Sequence, residues 1–199
     1  MYNIQNNLSI EENYENGLLP QRNIINSFYC DDNFSSRCDL SLFQPSSENR
    51  RILKKTNTFT FQKIPLTDFK YSPILQKQIY AWIKELNWDF PASSIKTIFT
   101  NHIFNYLYIW YNPEKQICAY SICYINKNIS HIAYVFYNPD YAHNDLPIRL
   151  SLQVIIDSLE SKLKYCYLGR FNPKTKLGFY KRNFPGFQYF TQGQWLFYN

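Results

Sequence analysis

The sequence has few glycines and no long apolar run. Its five glycines form neither a G-x-G pattern nor a P-loop, which excludes the common glycine-rich nucleotide-binding loops. Lys, Asn, Glu or Asp interrupts every hydrophobic stretch before it reaches the roughly 18 residues of a membrane span. The start of the chain is polar and acidic and lacks the basic and then apolar order of a secretory signal. We therefore expect a cytoplasmic protein with no membrane partner.

The sequence also lacks the patterns of a metal site or a nucleophilic triad. Its five cysteines are odd in number and dispersed, which fits reduced thiols rather than a disulfide framework. The spacing of Cys30 and Cys38, C-x7-C, matches no common zinc finger, and no C-x-x-C pair or nearby histidine completes a set of four ligands. His102, His131 and His143 lie in ordinary strand and turn contexts without a nucleophile elbow. Neither a metal nor a further cofactor is expected.

Positive charge is concentrated in two blocks of a chain whose net charge is +6. Residues 46–77 hold seven Lys and Arg against two Asp and Glu, and residues 161–199 hold seven against none. In the first block, cations at i, i+1, i+4 and i+5 share one side of a predicted helix, which suits phosphates, although a solvated basic face fits equally well. In the second block, cations alternate with aromatic rings, which suits unpaired RNA ends, while core packing explains part of the rings. The two candidate RNA-binding sets are Arg50, Arg51, Lys54 and Lys55, and Lys174, Lys176, Lys181 and Arg182.

The hydrophobic pattern predicts an α+β fold. Ser46 and Ser47 can cap a helix over 48–55, and apolar residues recur at helical spacing over 72–87 and 146–163. The predicted strands cover 58–64, 104–111, 116–125, 129–137, 165–168, 187–190 and 194–198, and a brief basic helix lies near 175–183.

The predicted element order, β-β-β-α-β-α-β-β from residue 104, has one helix crossing between two strands. This order suits an acyltransferase fold of the GNAT type with a mixed or antiparallel sheet. GNAT enzymes usually hold the pyrophosphate of acetyl-CoA in a glycine-rich turn before the crossing helix. Residues 141–147 stand at that place and contain no glycine, so the acyl donor is not expected to be acetyl-CoA.

Short segments along the chain carry a family pattern in matching order and spacing. Residues 43–55, FQPSSENRRILKK, follow Arg37-Cys38 and match F-x-P-S with a helix of paired basic residues. Residues 134–140, YVFYNPD, match an aromatic strand ending in Y-D-P-D, with Asn138 in place of Asp. The further matches are LLPQR at 18–22 for L-P-x-R, YCYLG at 165–169 for Y-x-Y-L-G, YKRNF at 180–184 for Y-K-x-x-F, and GQW at 193–195 for G-x-W. From Leu18 to Trp195 the chain thus resembles the arginyl- and leucyl-tRNA protein transferases of the N-end rule pathway.

The resemblance implies transfer of arginine or leucine from aminoacyl-tRNA to the α-amine of a protein whose destabilising first residue is often acidic, which marks that protein for degradation. The tRNA ester is already activated, so the enzyme need only align the substrates, accept a proton and stabilise the oxyanion. By position, the resemblance assigns Tyr180 and Lys181 to catalysis, Tyr137 and Asn138 to the aminoacyl end, and Arg22 to an acidic acceptor residue. The residues expected to hold the tRNA are Arg50, Arg51, Lys54, Lys55, Lys174, Lys176 and Arg182.

Departures from the family leave other functions open. The segment between Arg22 and Arg37 is short and lacks the family's cysteine-rich element, Pro147 stands where the family has glycine, and Val154 replaces an acidic residue. With Asn138, these departures favour a catalytically inactive relative that binds tRNA or protein N-termini, and a GNAT N-acyltransferase that uses acyl-CoA is the third alternative. The expected regions are a disordered acidic start over 1–17, a reduced amino-terminal region with the basic helix over 18–66, and a GNAT-like aminoacyltransferase domain over 67–199.

Overall fold

The computed structural model describes residues 2–4, 8–22, 27–30, 34–100 and 103–198, and for 2–4 and Cys30 it describes the backbone only. His102 and the side chain of Cys30 lie outside this description. The described strands are β1 (Tyr2–Ile4), β2 (Leu19–Pro20), β3 (Phe28–Cys30), β4 (Phe34–Asp39), β5 (Thr60–Pro65), β6 (Tyr106–Tyr111), β7 (Ile117–Ile125), β8 (Ile129–Tyr137), β9 (Tyr165–Phe171), β10 (Phe187–Thr191) and β11 (Gln194–Phe197). The described helices are α1 (Ile10–Glu15), α2 (Ser47–Lys55), α3 (Pro73–Glu85), α4 (Ala92–Thr100) and α5 (Leu146–Glu160), with 3-10 helices at Leu66–Asp68, Pro139–Asn144 and Phe179–Asn183.

Eight strands form one mixed sheet in the order β11-β10-β4-β9-β8-β7-β6-β5, and β1, β3 and β2 form a small second sheet. In the large sheet every neighbouring pair is antiparallel except β8 and β9, which run parallel and are connected through α5. Three residue pairs join β8 to β9 among the described residues, and the last pair is His131 with Tyr167. Beyond it the carboxyl ends of the two strands are no longer paired. A gap in the middle of the sheet results.

The large sheet is covered on both faces, and the alternation along β6 shows how. Leu107 packs into a core that α3 and α4 complete through residues such as Ile79. Its neighbour Tyr108 packs into a second core on the opposite face, where α2 and α5 contribute Ile52 and Val154. This period of two places successive strand residues on opposite sides of the sheet.

Most predicted elements are confirmed. Helix α2 begins where the sequence predicts, because Ser46 Oγ accepts a hydrogen bond from Asn49 N (3.1 Å) and Asn49 Oδ1 accepts one from Ser46 N (3.2 Å). Helices α3 and α5 and strands β5 to β11 agree with the prediction to within a few residues, and the brief basic helix is the 3-10 helix Phe179–Asn183. The fold class is α+β, as predicted. Within the described part of the chain, no helix is both long and apolar enough to cross a membrane.

Two structural observations bear on the expected regions. The described part of the acidic start contains α1, which Ser9 and Glu12 close with a capping box and whose Tyr14 is fully buried. An aromatic side chain that packs in the core orders this segment, which its charge alone did not predict. On the amino-terminal side of residue 66, β4 lies between β10 and β9, and β5 forms the edge of the same sheet. Residues 18–66 are therefore not separate from residues 67–199.

Candidate active site

The gap between β8 and β9 opens into a cavity of about 410 Å³, here called the β8/β9 pocket. Ligands commonly bind at the carboxyl ends of parallel strands, where neighbouring strands diverge. The polar residues that line this pocket include Arg22, Tyr29, His131, Tyr134, Arg170, Tyr180 and Lys181, together with the exposed Asp89. Arg22, Tyr180 and Lys181 are three of the predicted site residues, and the structure brings them to one place. His131, Tyr134 and Arg170 were not predicted.

Gly169 lies at the point where two of these polar groups converge. A Cβ atom at Gly169 would be 3.8 Å from His131 Nε2 and 3.8 Å from Lys181 Nζ. The backbone of Gly169 has φ of +77°, a conformation that favours glycine. The glycine of the Y-x-Y-L-G match therefore satisfies the backbone conformation at a point that the imidazole and the ammonium group both approach.

Lys181 is the titratable group best suited to proton transfer. Its Nζ donates a hydrogen bond to the carbonyl oxygen of Arg170 (2.7 Å). Burial of the ammonium group, and secondly the charge of Arg170, lower the pKa of Lys181 to about 7. Near neutral pH a substantial fraction of the side chain is therefore an uncharged amine, which can accept a proton.

His131 is buried beside Lys181, with 4% of its surface exposed. Its Nδ1 is 2.8 Å from the hydroxyl oxygen of Tyr14 on α1, while its Nε2 is buried without a hydrogen-bond partner among the described residues. Burial, and secondly the charge of Lys181, lower the pKa of His131 to about 3. The imidazole is therefore neutral at physiological pH. Its strand context gave no sign of this, because Tyr14 is 117 positions away in sequence.

Two arginines make the wall of the pocket positive. Arg22 is hydrogen-bonded to Tyr134, and its guanidinium carbon is 4.8 Å from the centre of the Phe90 ring. Arg170 Nη2 donates a hydrogen bond to the hydroxyl of Tyr29. Both guanidinium groups are thus held against aromatic residues of the pocket wall. A bound group with negative charge would be attracted to this wall.

Tyr137 and Asn138, which the resemblance assigns to the aminoacyl end, do not line the β8/β9 pocket. Asn138 caps the 3-10 helix Pro139–Asn144, with its Oδ1 accepting a hydrogen bond from Asp140 N (3.1 Å). Tyr137 packs at 5.6 Å from Trp88 between ring centres. Burial, and secondly the neighbouring Tyr180, raise the pKa of Tyr137. Tyr180 exposes 38% of its surface, but its hydroxyl end is enclosed and hydrogen-bonded to Ser151 of α5.

The four cations of α2, here called the α2 basic face (Arg50, Arg51, Lys54 and Lys55), are all exposed. Asp145, at the start of α5, accepts hydrogen bonds from Arg51 Nη2 (2.9 Å) and Lys55 Nζ (3.0 Å). Glu48 also pairs with Arg51, at 2.7 Å. Half of the predicted phosphate-binding face is therefore already paired with carboxylates of the same chain. The spacing of the four cations in the sequence does not reveal this pairing, because Asp145 is 94 positions from Arg51.

The fold places the members of the second candidate RNA-binding set in different surroundings. Lys174 and Lys176 are exposed in the turn between Asn172 and Leu177, next to Leu177 and Gly178 of the pocket lining. The guanidinium carbon of Arg182 lies 3.9 Å from the centre of the Phe179 ring. Lys181 is the member of this set whose ammonium group enters the pocket. The turn is thus a rim of the β8/β9 pocket rather than a separate surface.

Two motifs of the family pattern meet at the end of α1. Arg37 is buried between the rings of Tyr165 and Trp195, at 3.6 and 4.1 Å from their centres, and pairs with Glu15 at 2.9 Å. Trp195 Nε1 donates a hydrogen bond to the carbonyl oxygen of Glu15 (2.8 Å). These contacts fix α1 against the sheet, and with it Tyr14. Arg37 and the closing G-x-W are therefore structural residues that hold a neighbour of the pocket.

The departures at positions 147 and 154 also have structural explanations. Val154 is fully buried in the core beneath α5, so no acidic side chain reaches the pocket from this position. Pro147 stands in the first turn of α5, where its missing N–H is not needed. Neither residue lines the β8/β9 pocket.

Comparison with solved structures shows the fold. The C-terminal domain described as a lysylphosphatidylglycerol synthetase from Agrobacterium fabrum superposes with a TM-score of 0.51 at 15% identity, over 73% of this chain and 49% of that one. A GCN5-related glucosamine N-acetyltransferase region of a fungal multi-domain β-N-acetylglucosaminidase gives a TM-score of 0.50 at 13% identity, over 80% of this chain and 20% of that one. The chain thus spans about half the length of the first structure and a fifth of the second. At these identities the likeness establishes the GNAT-type fold alone.

Comparison by sequence identifies the family. No curated protein matches the chain. The family model described as arginine-tRNA-protein transferase, C terminus, matches residues 70–191. This range contains more than half of the chain and all of β8, β9 and the 3-10 helix that carries Lys181. The chain therefore belongs to the arginine-tRNA-protein transferase family.

Proposed function

We propose that the protein transfers an amino acid from aminoacyl-tRNA to the α-amine of an acceptor protein or peptide with an acidic first residue, which marks the acceptor for degradation. The observation that carries this proposal is Lys181 in the β8/β9 pocket, with a pKa lowered to about 7. A group that is partly unprotonated at neutral pH suits the transfer of a proton from the amine to the leaving group that this reaction requires. We infer that the transferred amino acid is arginine or leucine.

The chemistry balances without a further cofactor. The acceptor amine attacks the carbonyl carbon of the aminoacyl ester, so that a C–N bond forms and the C–O bond to the terminal ribose breaks. Lys181, as the neutral amine, accepts the proton that the attacking nitrogen loses and returns it to the departing ribose oxygen. Because the ester is already activated, alignment of the two substrates supplies much of the remaining rate.

The charge of the pocket wall supports an acidic acceptor. Arg22 and Arg170 present guanidinium groups to a pocket in which Asp89 is the one carboxylate of the described lining. An acceptor that begins with Asp or Glu would pair with these groups, and its α-amine would then face Lys181. The rim at Lys174 and Lys176 and the α2 basic face, with Arg182, are the surfaces that we propose for the tRNA.

The test is a transfer assay in which neither the transferred amino acid nor the acceptor peptide is chosen in advance. Purified protein is incubated with a total pool of tRNA charged with labelled amino acids and with matched peptides that begin with Asp, Glu, oxidised Cys or Asn. Mass spectrometry then identifies any peptide that has grown by one residue. We expect growth of the acidic peptides and little growth of the peptide that begins with Asn.

The alternatives give other results. Retention of charged tRNA on a filter without peptide growth would support a catalytically inactive relative. Growth of the peptide by an acyl group when acyl-CoA replaces the tRNA would support a GNAT N-acyltransferase. Absence of both transfer and tRNA retention would contradict the proposed function.

A further inference from the structure

His131 is a buried histidine that has no role in the proposed reaction as described above. It belongs to the last residue pair that joins β8 to β9, so its ring lies where the two strands diverge and lines the pocket there. Its Nε2 is buried and has no hydrogen-bond partner among the described residues. Buried polar atoms are nearly always paired, so an unpaired one that borders a cavity calls for a functional explanation.

The contact with Tyr14 decides which ring nitrogen carries the proton. Tyr14 is fully buried, and His131 Nδ1 is the one hydrogen-bond partner of its hydroxyl in the described part of the chain. If the hydroxyl donates to Nδ1, the one polar hydrogen left unpaired is that on Nε2. If Nδ1 donated instead, both the phenolic hydrogen and the Nε2 lone pair would be buried without partners, which costs more free energy. The structure thus favours the tautomer with hydrogen on Nε2.

Gly169 lies beside both Nε2 and the amine of Lys181. The position of a Cβ at Gly169 is 3.8 Å from Nε2 and 3.8 Å from Lys181 Nζ, so both groups lie next to the same point of the pocket lining. A reacting carbonyl group placed beside Gly169 would have both a hydrogen-bond donor, the His131 imidazole, and an amine, that of Lys181, as neighbours. This is the arrangement that acyl transfer requires of an oxyanion donor and a proton acceptor.

We infer that His131 is a further catalytic residue, whose Nε2–H donates a hydrogen bond to the ester carbonyl oxygen as negative charge develops there, and that Tyr14 is the positioning residue that fixes this tautomer. The inference rests on the proposed function. His131 neither gains nor loses a proton in the step, because the proton of the amine passes through Lys181. Burial keeps the ring neutral, so that it donates a hydrogen bond without placing a second cation beside Lys181.

The experiment compares two amide replacements in the full chain. The side chain of His131→Asn reaches only the position of Nδ1, whereas that of His131→Gln reaches the position of Nε2 and can still donate there. We expect His131→Asn to lower kcat by about 100-fold or more, the usual loss for one oxyanion donor. His131→Gln should retain kcat to within about tenfold, and KM and tRNA retention should change by less than about threefold in both.

A matched pair of tyrosine variants tests the positioning role. Tyr14→Phe removes the hydroxyl that contacts His131 and should lower kcat by about tenfold, because part of the imidazole then adopts the other tautomer. Tyr124→Phe is the control: its ring stacks at 6.0 Å from Tyr14, and its hydroxyl contacts Asn126 rather than a pocket residue. The control should keep the wild-type kcat. ¹⁵N NMR of labelled histidine should show a protonated Nε2 in the wild type and a mixture of tautomers in Tyr14→Phe.

The outcomes separate this inference from the proposed function. If the wild type transfers an amino acid and His131→Asn does so within threefold of its rate, or if NMR shows hydrogen on Nδ1 in the wild type, the inference fails while the proposed function stands. If the wild type yields no product with any charged tRNA, both fail. If His131→Asn melts below the assay temperature, the Tyr14→Phe and Tyr124→Phe pair decides, and equal kcat in those two variants overturns the inference.

Discussion

The β8/β9 pocket and the α2 basic face both carry positive charge, but the polar groups of the two regions have different partners. On α2, Asp145 pairs with Arg51 and Lys55, so the chain itself satisfies half of the exposed cations. In the pocket, Lys181 has a carbonyl oxygen as its partner and His131 Nε2 has none in the described structure. Unsatisfied polar groups are costly when buried and nearly free of cost on the surface. The buried polar atom without a hydrogen-bond partner, which costs free energy, thus lies in the pocket where we propose the reaction.

The largest effect should follow from removal of the pocket amine. Lys181→Ala deletes the proposed proton acceptor, and we expect kcat to fall by about 10²- to 10⁴-fold. Retention of tRNA on a filter should change by less than about threefold, because one buried amine contributes little to contacts with the tRNA backbone. Lys96→Ala, on the exposed surface of α4, is the matched control and should have no effect.

The pH profile of the same reaction tests the role of Lys181 independently. Its pKa of about 7 means that the amine is protonated, and inactive as an acceptor, at lower pH. Wild-type kcat should therefore rise as the pH is raised through about 7 and then level off. A profile that is flat between pH 6 and 8 would contradict this assignment.

A second effect concerns the stability of the fold in acid. The pKa of His131 is lowered to about 3, so between pH 6.5 and 3 the unfolded chain binds a proton that the folded chain does not. The free energy of unfolding should therefore decrease as the pH falls below 6.5, with a contribution from His131 that approaches about 1.4 kcal/mol per pH unit. Urea denaturation at pH 7 and pH 5 measures the decrease. The His131→Gln variant should show a smaller decrease, and an equal one would mean that His131 is protonated in the folded protein.

A third effect separates the cations of the α2 basic face that pair with carboxylates, Arg51 and Lys55, from the other two. Arg50→Gln with Lys54→Gln, and Arg51→Gln with Lys55→Gln, remove the same formal charge. We expect the first double variant to weaken tRNA binding by about tenfold at moderate salt and to reduce the salt slope by about two. The second should weaken it less, since Arg51 and Lys55 already pair with acidic residues. Equal losses, measured by salt-dependent filter binding, would show that the internal pairing does not matter for tRNA.

The smallest effect should come from removal of the carboxylate that pairs with α2. Asp145 has φ of +60°, a conformation that asparagine tolerates, so Asp145→Asn releases Arg51 and Lys55 without a backbone change. We expect tRNA binding to strengthen by about two- to threefold at low salt and to be unchanged at high salt, where surface charges are screened. Weaker binding of this variant at low salt would mean that Asp145 orients the two cations for the tRNA.

The elements that could be predicted from the sequence are those with strong local signals. Helix α2 has its capping serine and its paired basic residues, and β6, β7 and β8 are apolar runs between turn residues. Strand β4 was missed because its sequence, FSSRCD, is polar. Its buried residues are satisfied by tertiary partners, as when Ser36 Oγ donates to the carbonyl oxygen of Gly169 (2.7 Å) and Arg37 pairs with Glu15. These partners are distant in sequence, so no short segment of the chain contains both members of a pair.

The candidate site also contains residues that the sequence could indicate and residues that it could not. Tyr180, Lys181 and Arg22 could be proposed from short motifs that resemble the family, and all three line one pocket. Asn138 belongs to a similar motif, but the fold uses its side chain to cap a 3-10 helix. His131 could not be proposed, because the features that set it apart are burial, the contact with Tyr14 and an unpaired nitrogen. Each of these is a property of neighbours that are distant in sequence.

The sequence by itself determined the α+β class, the family pattern and the identity of the pocket lysine, because hydrophobic period, turn chemistry and short motifs are local properties of the chain. The tertiary structure alone decided that β4 completes the large sheet, that α1 is ordered, that half of the α2 basic face is internally paired, and that His131 meets Gly169 and Lys181 at the pocket. The physical reason is that desolvation, pairing and free space depend on which side chains lie within a few ångströms of one another. The separation of β8 and β9 beyond His131 sets those distances.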